Sequence, residues 1–295
     1  MVGIVSVSKT MGGQCTRLVK RCIRSGSDAI LSSLTARSFS TRTRLFGTGT
    51  TEKVKAAQDL FRKAQCVCFD VDSTVTTEEG IDVLAAACGK GAEVAEWTKK
   101  AMGGSVLFQD AIAARLGIIK PTRQLVDSLV RNHSFPLTPG VVELVHRLKS
   151  NGIRIELGLP SGKEVVLVSG GLLQLILPVA HKLAIPRSNV FGIELYFNPD
   201  GSFRDFDRQA PTARSGGKQK VMEILSETYH PIVSVMIGDG ATDLEARPVA
   251  EAVIGSCWTT DGLGFGGNVV RDVVKQQSDW FITRFDELID LLPKS

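Results

Sequence analysis

The chain has little cysteine and little histidine, 6 and 4 in 295 residues. His133, His146, His181 and His230 are scattered. Cys66 and Cys68 share one apolar run and face the same way, with no Cys/His cluster beside them. This pattern argues against a zinc site and against a disulfide scaffold, and it fits a reducing compartment. No apolar run is long enough to span a membrane, so no membrane partner is expected. The net charge is only +4, and its excess sits at the amino terminus. The remainder is close to neutral and carries no nucleic-acid footprint. Acid is scarcest in residues 1–51, where Asp28 stands alone among Lys9, Arg17, Lys20, Arg21, Arg24, Arg37, Arg42 and Arg44. Basic, hydroxyl-rich and acid-poor describes an organellar transit peptide. The richness in Ser and Thr leans towards a chloroplast, with the mitochondrion as the alternative and a disordered basic tail as the plainer reading. What is present in quantity is apolar: 43% of the residues, enough for a real core in one large domain or two modest ones.

The chain is organised around Cys66-Val67-Cys68-Phe69-Asp70-Val71-Asp72-Ser73-Thr74. An apolar run that reads as a buried strand ends in two aspartates one residue apart. Strand alternation puts both on one side. A buried strand has no structural use for two like charges there. Carboxylates at the carboxyl end of such a strand sit where open α/β sheets bind ligands, and Mg²⁺ would relieve their repulsion. Taken alone, the spacing also fits an acidic surface turn.

Further along, Glu52 to Lys63 reads as an amphipathic helix. Four helices follow the first strand: Glu79 to Cys88, Ala92 to Met102, Val106 to Leu116 and Pro121 to Asn132. No strand pattern appears between Val75 and Phe135. A helix over Thr138 to Ser150 precedes a buried strand at Glu164 to Val168, and another helix runs to Leu183. Val190 to Phe197 and Phe203 to Phe206 read as a hairpin across Asn198-Pro199-Asp200-Gly201. A helix over Lys218 to Tyr229, strands at Ile232 to Ile237, Glu251 to Ile254 and Trp280 to Thr283, and a helix to Leu292 complete the chain. Strands alternating with helices predict an α/β fold, a doubly wound parallel sheet with helices on both faces. The expected division is residues 52–77 and 136–295 for this core and 78–135 for a small helical domain inserted after the first strand.

Three buried-type strands end in polar, glycine-rich turns: Asp70 to Thr74, Ser169-Gly170-Gly171, and Gly238-Asp239-Gly240-Ala241-Thr242-Asp243. In a parallel sheet these turns converge on one edge. Lys218 stands at a helix start after Ser215-Gly216-Gly217. Carboxylates, a hydroxyl, backbone amides freed by glycine and one ammonium suit phosphoryl transfer. One carboxylate can attack phosphorus, and a second can move a proton. The hydroxyl, amides and ammonium can bind the equatorial oxygens.

The three motifs and the spaced lysine resemble the haloacid dehalogenase-like phosphatases. The wording is closest to the phosphoserine phosphatase family, in Phe69 to Thr74, Glu78-Glu79-Gly80-Ile81-Asp82, Ala101-Met102-Gly103-Gly104, Val168 to Gly171, Ser215 to Lys218, Met236 to Asp243 and Phe265-Gly266-Gly267-Asn268. The likeness covers roughly residues 53–292. It implies a Rossmann-like core under a cap. It implies Asp70 as nucleophile and Asp72 as general acid/base, in a Mg²⁺-dependent hydrolysis of O-phosphoserine through an aspartyl-phosphate, the last step of serine biosynthesis. Mg²⁺ would be held by the Asp70 carboxylate, the Asp72 backbone carbonyl and Asp239, with Asp243 in support. Ser169, Gly170, Gly171, Lys218 and Thr242 would bind phosphate. Glu79 and Arg115 would hold the substrate's ammonium and carboxylate, and Met102, Gly103 and Phe108 would line the pocket. The resemblance allows a homodimer. Arg115 has support of its own, because it continues the apolar stripe of Phe108, Ala111 and Ile112 and needs an anion there. An arginine snorkelling off the helix edge is the alternative.

Two stretches depart from the family, at residues 154–163 and 256–264. They are surface loops or retained intron sequence, and an inactive variant is therefore one rival reading. A related phosphatase with another small substrate and a phosphotransferase are the others. Gly262-Leu263-Gly264-Phe265-Gly266-Gly267 has a dinucleotide-binding spacing but no acidic strand end follows it, so that reading is set aside.

Overall fold

Six apolar segments pair side by side, all in parallel: β1 (Cys66–Phe69), β2 (Glu164–Leu172), β3 (Val190–Ile193), and, further along the chain, Ser234–Gly238, Ala252–Ser256 and Trp280–Ile282. Two short strands between them, β4 (Leu195–Phe197) and β5 (Phe203–Phe206), form a separate antiparallel pair. With the last three main strands numbered β6, β7 and β8, the sheet order is β3-β2-β1-β6-β7-β8. This is a computed structural model, and it describes residues 50–101, 106–150, 163–229, 233–256 and 268–293. The two departing stretches apart from Lys163 and Ser256, the glycine-rich 262–267 segment and all but the last two residues of the expected leader lie outside the described residues.

Period-2 alternation explains why both faces are covered. Val67 and Phe69 of β1, Val165 and Leu167 of β2, and Val235 and Ile237 of β6 enter one core. That core also takes Phe61 from helix α1 (Thr50–Lys63) and Leu144 and Leu148 from a helix over Val141–Ser150. Cys66, Cys68, Val166, Val168 and Met236 point to the opposite face. There they meet Val221, Met222 and Leu225 of a helix over Gly217–Tyr229. The expected doubly wound α/β fold is therefore present. The winding reverses between β1 and β6, the switch point at which such sheets open a crevice beyond the strands' carboxyl ends.

Four helices lie between β1 and the Val141–Ser150 helix: α2 (Gly80–Ala87), α3 (Gly91–Ala101), α4 (Phe108–Ile119) and α5 (Arg123–Asn132). Leu84, Ala85, Val94, Ile112, Leu116 and Val126 give them a buried interior. Thr122 starts α5 by accepting a hydrogen bond from the Leu125 amide at 3.2 Å. The chain leaves for these helices and returns through a two-stranded neck. There Thr76 bridges Leu137, the Thr77 amide donates to Pro136 O (3.1 Å), and the Thr138 amide donates to Val75 O (2.9 Å). The remaining helices are α6 (Val141–Ser150), α7 (Leu173–Lys182), α8 (Gly217–Tyr229), α9 (Ala241–Leu244), α10 (Asn268–Gln277) and α11 (Asp286–Ile289).

Three expectations need correction. The hairpin read over Val190 to Phe206 is two features: β3 joins the main sheet beside β2, and only β4 pairs with β5. The alternating apolar pattern runs unbroken through Glu194, where the chain changes partner. The final helix is short, and α10 was not expected. The aspartate pair is also not arranged by strand alternation. β1 stops at Phe69, and Val71–Val75 makes one wide turn, with Ser73 at φ 56° and the Thr76 amide donating to Val71 O at 2.9 Å. The turn, rather than the strand, presents Asp72.

Candidate active site

The three expected turns meet over the β1/β6 crevice. Asp70 follows β1 in extended conformation, and its Oδ1 accepts from the Val71 amide at 2.7 Å. Its Oδ2 lies 2.7 Å from Lys218 Nζ at the start of α8. The same ammonium lies 2.6 Å from Asp243 Oδ1. Asp243 is fully buried in α9, and its Oδ2 accepts from the Gly240 amide at 2.9 Å. Burial works against the lysine charge, but Asp243 and Asp70 outweigh it and hold its pKa above the usual lysine value. Burial raises the Asp243 carboxyl, against the pull of Lys218. The short contact favours the charged pair.

Asp72 has a different environment. Its Oδ1 accepts from the Gly80 amide at the start of α2 (2.6 Å), and its Oδ2 accepts from Ser169 Oγ (3.1 Å). Ser169 Oγ in turn accepts from the Gly171 amide at 2.8 Å. Ser169 is fully buried within β2, which pairs with β1 from Glu164 onward. Burial first, and the Asp70 charge second, raise the Asp72 carboxyl above the ordinary carboxylate range. Two carboxylates of one turn thus sit in opposed surroundings, one against an ammonium and one without a direct cation contact.

Asp239 closes the β6 side. Its Oδ1 accepts from Thr74 Oγ1 at 2.9 Å, and burial with the nearby Asp70 charge pushes its carboxyl up to about 6. One carboxylate oxygen from each of Asp70, Asp239 and Asp243 falls within a 4.8 Å cluster. These are hard oxygen donors crowded beyond what one ammonium balances, a donor set suited to a small divalent cation. Asp243 belongs to this cluster but is already engaged by Lys218, which leaves Asp239 the less committed carboxylate.

The helical insert supplies the roof. A Cβ on Gly170 would stand 2.6 Å from the Phe108 ring, so the ring packs directly on that glycine. The Phe108 amide donates to Ser215 Oγ at 3.4 Å, and the Ser215 amide donates to Gln109 Oε1 at 3.3 Å. Glu79 Oε1 accepts from Ser73 Oγ at 2.7 Å. Desolvation in the cleft, then the Asp72 charge, pushes Glu79 up to about 8, although the residue keeps an exposed edge. Arg115 is half-buried, and its charge is set off by Asp82 first, then Glu79 and Asp72. Its Nε donates to the Ala111 carbonyl of its own helix at 3.4 Å. Thr242 lies in α9 beside Gly240. Met102 and Gly103 lie outside the described residues. Sequence reasoning passed over Thr74, Gly80 and Gln109. Thr74 and Gly80 stood in the quoted motifs, where their partners 165 and 8 residues away were not visible.

A comparison with protein families matches residues 64–250 to the haloacid dehalogenase-like hydrolases. A curated phosphoserine phosphatase of Bos taurus is 46% identical over 235 residues, 80% of this chain and 96% of its own. The chain belongs to the phosphoserine phosphatase family of haloacid dehalogenase-like hydrolases. A chloroplastic phosphoserine phosphatase of Arabidopsis thaliana is 44% identical over 238 residues, 81% of this chain and 75% of its own. Among solved structures, a phosphoserine phosphohydrolase-like protein of Francisella tularensis superposes with a TM-score of 0.61 at 28% identity, covering 77% of this chain and 99% of that one. DsGPDH of Dunaliella salina gives 0.65 at 32% identity over 80% of this chain, which spans 37% of that longer protein. The family match over residues 64–250 covers β1 to β6, all three turns and the helical insert of this phosphoserine phosphatase relative.

Proposed function

We propose that the chain hydrolyses O-phospho-L-serine to L-serine and phosphate, with Mg²⁺ as cofactor, as the last step of serine biosynthesis. The observation that carries this reading is the opposed setting of Asp70 and Asp72. Two neighbouring carboxylates in unlike surroundings are the arrangement that nucleophile and acid roles require. Asp70, paired with Lys218, attacks phosphorus, and the bond from phosphorus to the seryl oxygen breaks. Asp72, which burial keeps able to hold a proton, gives that proton to the leaving serine oxygen. It then takes one from the water that cleaves the aspartyl-phosphate, and phosphate leaves. Ser169 Oγ, the Gly170 and Gly171 amides and Lys218 are placed to bind the equatorial oxygens. Asp70, Asp239 and the Asp72 carbonyl would hold Mg²⁺, with Asp243 in support, and the ion would offset the repulsion between carboxylate and phosphate.

The substrate assignment rests on the roof. A zwitterionic amino acid would bring an ammonium to Glu79 and a carboxylate to Arg115, adding a charge of the opposite sign to each. Residues 78–135 act as the cap that excludes water, over a core of 52–77 and 136–295. Residues 1–51 direct the protein to the plastid. The test is phosphate release from O-phospho-L-serine by protein starting at Thr51, with and without Mg²⁺, and with Asp70→Asn as control. Metal-dependent release abolished by Asp70→Asn is the expected result. Well-folded protein that releases no phosphate from phosphoserine but does so from another phosphomonoester would refute the substrate.

A further inference from the structure

The neck between core and insert is fastened by a side-chain pair that the chemistry above does not use. His133 Nε2 lies 2.6 Å from Glu78 Oε2, joining the segment on which the chain leaves the core to the one on which it returns. Both side chains are only partly exposed, 26% and 36%. The return segment is fixed on its other side as well. Lys182 of α7 donates to the carbonyls of Ser134 and Phe135. Phe135 takes a left-handed backbone (φ 44°), and its ring meets the His133 imidazole edge-on at 4.8 Å. A non-glycine residue at positive φ persists only where its surroundings impose it. His133 is therefore carried on a rigid support.

On the outgoing segment the pair holds the residue next to Glu79. Glu79 lies between two anchored neighbours: Glu78, bound by His133, and Gly80, whose amide is bound by Asp72. A small cavity of about 20 Å³ adjoins this segment, lined by Asp72, Glu78, Gly80, Val83, Phe135 and apolar residues of β2 and α7. The Glu78 carbonyl accepts from Thr76 Oγ1 at 3.0 Å and the Glu79 carboxylate from Ser73 Oγ at 2.7 Å, but packing around the Glu78 side chain is incomplete, and His133 supplies the contact that holds it. We infer that His133 and Glu78 are positioning residues, a clamp across the neck that fixes where the Glu79 carboxylate stands for the substrate's ammonium. The inference rests on the proposed reading of Glu79. Because Gly80 is held separately by Asp72, breaking the clamp displaces the binding group and spares the reacting ones.

The test compares two substrates. With His133→Ala, KM for O-phospho-L-serine should rise about five- to tenfold, the net worth of about one ordinary hydrogen bond. Turnover of p-nitrophenyl phosphate, which has neither ammonium nor carboxylate, should not change. His133→Gln, which keeps a donor, should restore most of the loss, and the double variant Glu78→Ala/His133→Ala should be no worse than the worse single one. An equal loss on both substrates, or no loss on either, would overturn the clamp. Amide exchange at residues 77–80 reads the neck without any turnover. If the wild type proves inactive on phosphoserine, the assigned substrate fails, while faster exchange in His133→Ala still supports the clamp and unchanged exchange removes it.

Discussion

Gly171→Ala places a single methyl group against the proton-handling carboxylate. Gly171 has no positive φ, so alanine adopts its backbone without strain, and the effect is steric alone. The new Cβ would stand 2.4 Å from Asp72 Oδ2 and 2.9 Å from Ser169 Oγ. An ordinary contact needs about 1 Å more than the first of these distances. Neither atom belongs to the free end of a long side chain: Asp72 is tied to Gly80 and Ser169, and Ser169 lies within a paired strand. Asp72 must turn, and the Ser169 hydrogen bond is the one it gives up. Losing a hydrogen bond to a charged group costs about 1.5–3 kcal/mol, and misplacing a reacting group by about 1 Å costs about 10²-fold in rate. Overpacking of this size lowers stability by about 1–3 kcal/mol. The assay is steady-state phosphate release, read beside a thermal melt, with Gly117→Ala as control. Gly117 lies in α4 with nothing within 4 Å of its added Cβ, so this change should leave the rate alone and stabilise by about 0.5–1 kcal/mol. A folded Gly171→Ala protein with wild-type kcat would refute the role given to Asp72.

Other perturbations reach different parts of the molecule. Lys218→Met leaves Asp70 and Asp243 facing each other without their ammonium; kcat should fall at least about 10²-fold and stability by about 3–5 kcal/mol, read by urea titration. Phe61→Ala, at a fully buried position of α1, should cost about 3–5 kcal/mol on the same titration without altering KM in whatever fraction remains folded. Lys163 is buried with its ammonium on the carbonyls of Phe61, Arg62 and Ala64 that end α1, and desolvation lowers its pKa to about 8. Below that pH the folded state carries the full penalty of the buried charge. Between about 8 and the ordinary lysine value of about 10.4 the unfolded chain binds the extra proton, so stability rises with pH. This rise should be absent from Lys163→Met, and identical pH slopes in the two proteins would contradict it.

The sequence made the chemistry legible more readily than the geometry behind it. Asp70, Ser169 and Asp239 were readable because an apolar strand ending in polar or glycine-rich residues is a local signal, and parallel topology turns three such signals into one site, whereas Lys218, at a helix start, was readable only through the family resemblance. The expected fold class came from the same alternation. Other features depended on partners far along the chain. The unbroken pattern from Val190 to Phe197 concealed a change from sheet to hairpin at Glu194, because each half is apolar for a different neighbour. The turn after β1 needs Ser73 at positive φ, which serine does not announce. His133 looked like a stray histidine until Glu78, 55 residues earlier, was brought beside it. Arg115 drew notice through its helical stripe, but Asp82, its leading charge neighbour, was not singled out, because it lies on a different helix.

The central position of β1 has a consequence for the order in which the chain can fold. Its partners are far away in sequence: Cys66 pairs with Glu164 on one side and with Ser234 on the other. As the chain emerges from the ribosome, this four-residue apolar strand waits with both edges unpaired, while the helices that follow it can already pack on one another. Sheets closed by such distant pairings form slowly, and bare apolar edges are sites of mispairing in the meantime. The helical insert can therefore be structured before the site beneath it exists. The crevice with its carboxylates is assembled only when Ser234–Gly238 arrives, so a nascent chain halted before that strand would hold a roof with no floor and would depend on chaperones to keep β1 from the wrong neighbour.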